Sequence, residues 1–303
     1  MIRAGVIRNL KSYRNQDGPP ATVPAGVLEV KAGEPDELNE TLAWFAKSGV
    51  ELVVIDGGDG TIRDVLSRLP PPYVKNPPRL AVLPRGKTNA LALDLGMSGD
   101  APLESILSAA AAGRTKTRPC LEIVRAGAAT PDLRGFLFGL GAFVRGTELA
   151  QKTHGLGFFN NAAIGLTILG AAARTLAGGP DDPWRRGEPG SLTLGEEATE
   201  TRAWFLAVAS TLKRFPLGLK PYGPPHEGLK VLTIHAPPPK LPTAAALIFA
   251  GSEASWLEKK GYRRRDVTRL GVEMEGSFVL DGELFPTGEL TVRQGPELEF
   301  VIA

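Results

Sequence analysis

One stretch constrains the fold more than any other: Leu52-Val53-Val54-Ile55-Asp56-Gly57-Gly58-Asp59-Gly60-Thr61. Four β-forming apolar residues in succession predict a strand buried on both faces, the pattern of a parallel sheet. The strand runs straight into a turn holding three glycines and one carboxylate. Glycine reaches backbone angles closed to other residues and lets main chain approach a ligand closely. Beyond the turn, Ile62, Val65, Leu66 and Leu69 share one face at helical spacing, with Thr61 as the expected cap. Amide groups at a helix start attract anions. The stretch therefore reads either as a tight turn alone or as a phosphate site, with Asp59 ready to meet a metal ion or a hydroxyl proton.

The neighbouring segments repeat the pattern. Ala4 to Leu10 reads as a first short strand, and the Arg8-Asn9-Leu10-Lys11-Ser12 segment at its end either lines a ligand crevice or forms a solvated loop. Gly26 to Val30 is a second strand. Asp36 to Ser48 is a helix with Leu38, Leu42 and Phe45 on one face and Gly49 as its stop. Arg79 to Pro84 is another buried strand. Strands alternating with helices imply a parallel sheet covered on its faces. Pro84-Arg85-Gly86-Lys87-Thr88-Asn89 follows, then a helical run with Leu91, Leu93 and Leu95. Gly86-Lys87-Thr88 looks like the end of a Walker A motif, but that motif needs a glycine five positions earlier, where Ala81 stands. What survives is a second glycine turn on a neighbouring strand. Two such turns at one sheet edge are expected to face each other across a crevice.

Pro102 to Ala112 is an alanine-rich helix ended by Gly113. From Arg118 the pattern turns to β. Leu121–Val124, Phe136–Phe138, Ala203–Ala209, Leu229–Ile234, Ala245–Phe249, Gly271–Met274, Ser277–Leu280, Glu289–Val292 and Leu298–Ile302 all read as short strands. Such a series indicates an antiparallel sandwich or open barrel. The expected domains are residues 1–118, an α/β unit, and 119–303, a β-sandwich unit, with the last strand a candidate to return to the first. Gly141 to Leu176 should supply helices; within it Gly155–Ala173 is uncharged and reads as a buried or interfacial helix. Gly178 to Glu200, rich in Gly, Pro and charge, reads as a mobile surface loop.

Composition narrows the function classes. With 43% hydrophobic and 22% charged residues, 303 residues suffice for two globular domains with cores. Basic and acidic residues nearly cancel, 35 against 33, so a general nucleic-acid binder is not expected. Cys120 stands alone, allows no internal disulfide, and fits a small buried residue in a reducing compartment. The first residues lack the long apolar centre of a signal peptide, and no segment makes a convincing bilayer span. His154, His226 and His235 do not have metal-ligand spacing. Lys259-Lys260-Gly261-Tyr262-Arg263-Arg264-Arg265 is either a solvated face or a patch for anionic headgroups.

Four of these stretches together resemble the diacylglycerol kinase catalytic family, lipid kinases that include bacterial diacylglycerol kinases, sphingosine kinases and ceramide kinases. Asn9 with Lys11 and Ser12 resembles the family's Asn-Pro-x-Ser-Gly turn, with Leu10 in place of proline. Gly57-Gly58-Asp59-Gly60-Thr61 is similar to its nucleotide motif. Leu83 to Ala92 resembles Leu-Pro-x-Gly-Thr-x-Asn-x-Phe-Ala, and Asp281-Gly282-Glu283, otherwise a plain hairpin turn, resembles its late Asp-Gly-Glu. The resemblance implies a three-layer parallel-sheet nucleotide domain, an antiparallel β-sandwich lipid domain, and an active site between them. It implies transfer of the γ-phosphoryl group of ATP, with Mg2+, to the primary hydroxyl of a diacylglycerol-like or ceramide- or sphingoid-like lipid. Asn9, Ser12, Gly57, Gly58, Gly60, Thr61, Gly86, Lys87, Thr88 and Asn89 would bind nucleotide. Asp59 would lie by the metal and phosphates, and Glu283 would be general base, positioned by Asp281. The protein would be cytoplasmic and peripherally attached to membrane.

The departures from the family pattern are Lys87 for a usual threonine, Arg63 for a usual asparagine, and His226-Glu227-Gly228-Leu229-Lys230 where relatives often carry aspartates for a structural magnesium, which is therefore not expected. A soluble-metabolite kinase of the NAD kinase type and an inactive lipid- or nucleotide-binding homologue are the alternatives. The sequence names neither the lipid nor an oligomeric state. Phe136, Phe138, Phe143, Phe158 and Phe159 read either as lining for an apolar pocket or as plain core.

Overall fold

The computed structural model describes residues 2–16, 22–31, 35–73, 76–97, 101–153, 183–224 and 227–303. The chain divides into two compact units, Met1–Cys120 with Leu133–Gly135 and Pro296–Ala303, and Leu121–Asp132 with Phe136–Gly295.

The first unit is a parallel sheet of β1 (Ala4–Arg8), β2 (Leu28–Lys31), β3 (Leu52–Gly57) and β4 (Arg79–Pro84). Its order is β2-β1-β3-β4, and the chain's last residues add a parallel neighbour to β4 through Phe300 and Leu80. The helices are α1 (Tyr13–Gln16), α2 (Pro35–Lys47), α3 (Asp59–Arg68), α4 (Ala90–Leu95) and α5 (Leu103–Ala111). Every residue of β3 is buried, which explains the unbroken apolar run. Alternate residues Ala4, Val6, Leu52, Val54, Ala81 and Leu83 pack with Leu103, Ile106, Ala109 and Ala110 of α5. The opposite face carries α2: a side chain at Gly5 would come within 2.5 Å of the Phe45 ring. Helices thus cover both faces.

In the second unit the strands are mainly antiparallel. β5 (Thr115–Arg125) begins in the first unit and ends in the second, and β6 (Leu133–Gly135) belongs to the first; then come β7 (Leu137–Gly141), β8 (Glu188–Leu194), β9 (Glu200–Ser210), β10 (Leu229–His235), β11 (Tyr262–Val267), β12 (Arg269–Leu280) and β13 (Glu283–Val301), whose end returns to the first unit; helix α6 (Ala142–Thr153) follows β7. The path β11-β10-β9-β7-β12-β13 is completed by β8, which pairs with both β9 and β12. Long strands β9 and β12 therefore hold β7 at one end and β8 at the other, closing a circuit of pairings. On β12 the register breaks between Met274 and Ser277, where Gly276 takes φ 95°. An irregularity there re-aims the strand from one partner to the other. Within this unit the described strands β7 to β12 are linked by pairing.

Three local expectations need correction. Gly178–Glu200 was expected as a loop, but Glu188–Leu194 is strand β8, buried in part between two long partners. Ala245–Phe249 belongs to a helix, Leu241–Phe249, whose Leu241, Ala244 and Ile248 pack with Phe205, Leu232 and Tyr262. A short apolar run has no periodicity to separate strand from helix, and Pro242 in its first turn was the missed signal. Thr61 lies within α3, whose N-cap is Gly58. Cys120 is buried, as expected. Gly155–Ala173, His154, His226, Phe158 and Phe159 lie outside the described residues.

Candidate functional site

The strand order of the first unit reverses direction between β1 and β3. Open α/β sheets bind ligands outside the carboxyl ends of strands at such a switch point. Three turns meet there. In the first, Asn9 donates its peptide N–H to the Asp56 carbonyl at 3.0 Å and its side-chain amide to Thr61 Oγ1 at 2.9 Å, while its Oδ1 accepts from the Lys11 N–H at 2.9 Å. Ser12 is buried and donates its N–H to the Asn9 carbonyl at 3.1 Å. In the second, a Cβ at Gly57 would fall 2.6 Å from Thr61, so glycine is needed where α3 folds back on the strand. In the third, Asn89 adopts left-handed backbone (φ 52°) and closes the turn on Gly86, accepting its N–H and donating to its carbonyl, both at 2.8 Å. Gly60 and Thr88 are half-buried, and Lys87 is exposed, its ammonium 5.7 Å from the centre of the Tyr13 ring.

The second and third turns touch. A Cβ on Gly58 would lie 2.9 Å from the Gly86 Cα. Asp59 reinforces the contact: its carboxylate accepts the Ala90 N–H at 3.0 Å and the Leu91 N–H at 3.5 Å, at the start of α4. Burial pushes the Asp59 carboxyl above its ordinary value, against the opposing pull of the Ala90, Leu91 and Asn89 amides. Asp59 is thus a brace between helices before it is anything else.

Sequence reading gives Asp56, Arg85 and Asn15 no role at this edge, and places Arg8 there only as part of a crevice loop. Asp56, Arg8 and Arg85 form a chain of ion pairs, with Asp56 Oδ2 3.3 Å from Arg8 Nε and Oδ1 3.1 Å from Arg85 Nε. Asn15 donates to the Asn9 carbonyl at 2.9 Å and to the Asp56 carbonyl and carboxylate at 3.3 Å. The available signal was a charge at the end of each of three otherwise apolar strands. Arg63, by contrast, is buried within α3 and pairs with Asp64.

In the second unit, Asp281 and Gly282 join β12 to β13 with φ of 48° and 85°, and Leu280 pairs with Glu283. Two positive φ values in a two-residue loop define the tight hairpin expected from the plain reading. Asp281 accepts the Phe136 N–H at 3.1 Å and the Leu137 N–H at 2.9 Å, and returns its own N–H to the Leu137 carbonyl at 2.9 Å. Gln151 of α6 donates to the Gly282 carbonyl at 3.3 Å. Glu283 is exposed beside this fixed turn.

A cavity of about 1050 Å³ in the same unit is lined by Arg145, Glu148, Glu188, Glu273, Glu275 and Glu289 among others. Phe136, Phe138 and Phe143 do not line it; Phe136 and Phe138 are core, the latter 5.2 Å from the Phe278 ring centre. Arginines of the basic run are engaged internally: Arg263 with Glu197 and Glu200, Arg265 with Glu197 and Glu258, and Arg264 with the carbonyls of Pro221, Ser252 and Ile248.

This architecture, an α/β unit with convergent glycine turns followed by a largely antiparallel unit, is a diacylglycerol-kinase-type fold. The model of the diacylglycerol kinase catalytic domain family matches residues 14–123, which shows the resemblance over that segment. The match takes in Gly57–Thr61 and Gly86–Asn89 and leaves Asn9, Ser12, Asp281 and Glu283 outside. No curated protein matches the sequence. Among solved structures, a proposed diacylglycerol kinase from Bacillus anthracis str. Sterne is 15% identical with a TM-score of 0.67, covering 99% of this chain and 97% of its own. A diacylglycerol kinase from the same organism is 13% identical with a TM-score of 0.64 at the same coverage. At these identities the likeness concerns the fold.

Proposed function

We propose that the protein is an ATP-dependent lipid kinase that phosphorylates the primary hydroxyl of a diacylglycerol-like or ceramide- or sphingoid-like lipid. The observation that supports it best is the meeting of three turns at the sheet's switch point, with Gly58 against Gly86. Phosphoryl transfer asks little covalent chemistry of a protein and much positioning of phosphates and acceptor. Backbone N–H groups of Gly57–Gly60 and Lys87–Asn89 would hold the phosphates, joined by the Lys87 side chain, with Gly86 closing its turn on Asn89. Glu283 would take the hydroxyl proton as that oxygen bonds to phosphorus and the bond to the departing ADP oxygen breaks. Asp281 would act by fixing the hairpin.

Among the described residues no three His, Cys, Asp or Glu side chains cluster to cage a metal. Mg2+ is commonly held by one or two carboxylates together with substrate phosphates. Asp59, whose two oxygens offer about four acceptor sites and meet two amides, fits that arrangement. When bound, the ion would supply charge neutralisation on the phosphates. A lipid substrate implies work at a membrane surface, from the cytoplasmic side. Among the described residues no helix is long and apolar enough to cross a membrane. The test is transfer from labelled ATP to a panel of diacylglycerol, ceramide and sphingoid bases in detergent micelles, with NAD as the soluble acceptor. Phosphate on NAD alone, or on nothing, rejects the reading.

A further inference from the structure

Arg85 fills the variable position of the third turn, and Asp56 precedes the second; neither has a role in the reading so far. Asp56 is 1% exposed and Arg8 2%. They are direct neighbours across β1 and β3, and Arg8 also meets Glu29 at 2.9 Å. Arg85, Asp56, Arg8 and Glu29 therefore alternate in charge, two cations against two carboxylates. Such balance is what buried ions require, since an uncompensated charge there is strongly unfavourable.

Arg85 differs from its buried counterpart. Its side chain is 22% exposed, and Asp56 holds it through Nε. Among the described residues no acceptor lies on its two terminal nitrogens. The main chain fixes its root: the Arg85 N–H donates to the Gly57 carbonyl at 2.9 Å, and its carbonyl accepts the Arg14 N–H at 3.1 Å. The guanidinium is thus held at one edge by a buried carboxylate and attached to a turn that touches Gly58. A planar fork with free N–H groups suits two oxygens of one phosphate, and holding it in advance reduces the ordering lost on binding.

We infer that Arg85 contacts the terminal phosphates of the nucleotide and sets preference for a triphosphate, and that Asp56 is its positioning residue. The inference rests on the reading of this edge as an ATP site. Asp56 acts only through the guanidinium: without the carboxylate, the fork loses its orientation.

Calorimetric titration of the intact protein with ATP and with AMP tests this. Arg85→Gln should lower the ATP-to-AMP affinity ratio by at least about tenfold, the size of one charge-assisted hydrogen bond. Arg85→Lys, which keeps the charge and spares the fold, should recover only part of the ratio. Asp56→Asn should lower it too, yet add nothing in the Arg85→Gln background. If the wild type binds ATP and Arg85→Gln weakens both nucleotides equally or neither, the inference fails while the ATP site stands. A second full loss from Asp56→Asn on top of Arg85→Gln overturns the positioning role. If the wild type binds neither nucleotide, the ATP site itself is refuted.

Discussion

Gly58 and Gly86 pack backbone against backbone with no room for a methyl group between them: a Cβ on the first would lie 2.9 Å from the partner's Cα, and on the second 2.8 Å. The obstacle is main chain on both sides, anchored by the Arg85-to-Gly57 hydrogen bond and by Asp59. Neither turn can yield by rotating a side chain. Gly58→Ala and Gly86→Ala should each cost about 1–3 kcal/mol through forced backbone shifts. Urea unfolding would measure this, and nucleotide titration should show binding lost in variants that remain folded.

The two carboxylates of the late hairpin should separate cleanly. Asp281 satisfies the Phe136 and Leu137 amides from a left-handed backbone position. Asp281→Ala takes the carboxylate acceptor away from those two amides and should cost about 1–3 kcal/mol. Asp281→Asn keeps an acceptor and tolerates the backbone, so it should cost less. Glu283→Gln should leave the melting temperature near that of the wild type and abolish lipid phosphorylation. Loss of activity in Asp281→Asn as complete as in Glu283→Gln would contradict this division.

Asp59 carries a pH signature. Burial, opposed by three amides, raises its carboxyl above the ordinary value of 3.8, so the folded state binds the proton more tightly than the unfolded chain. Its ionised form therefore works against stability at neutral pH, and that handicap disappears as pH falls through the raised pKa. Asp59→Asn keeps an acceptor for the Ala90 amide without the charge. Its melting temperature relative to the wild type should be highest near pH 7 and the difference should shrink on acidification, while phosphate transfer is lost at every pH. A difference that widens on acidification would mean that the amides outweigh burial.

Much of the first unit was legible because its physics is local. The unbroken run Leu52–Ile55 could only be a doubly covered strand, and Gly49 and Gly113 marked helix ends by their left-handed backbone, φ 70° and 66°. The glycine turns were visible as turns; their contact was not, since Gly58 and Gly86 follow separate strands and only pairing of β3 with β4 brings the two turns together. The Asp56 pairs were hidden for the same reason. In the second unit, β8 escaped because Glu188–Leu194 gains its structure from two distant partners, β9 and β12. Its own composition, with Pro189 and Gly190, favours a loop.

The basic run shows how pairing changes an electrostatic reading. Arg263, Arg264 and Arg265 suggest attraction to anionic lipid, at roughly 1 kcal/mol per residue if free. In β11, Arg263 and Arg265 instead face Glu197, Glu200 and Glu258, and the last two arginines of the run hold opposite sides of the strand. Arg264 donates to three carbonyls, of Pro221, Ser252 and Ile248, at 2.7–2.8 Å. Arg264→Ala should therefore destabilise the protein by about 1–3 kcal/mol. Arg263→Ala, breaking ion pairs with two partly exposed glutamates, Glu197 and Glu200, should cost about 1 kcal/mol. Neither change should alter co-sedimentation with anionic vesicles of the folded protein, because neither arginine is available to headgroups. A marked loss of vesicle binding in a folded Arg263→Ala variant would restore the run as a docking patch.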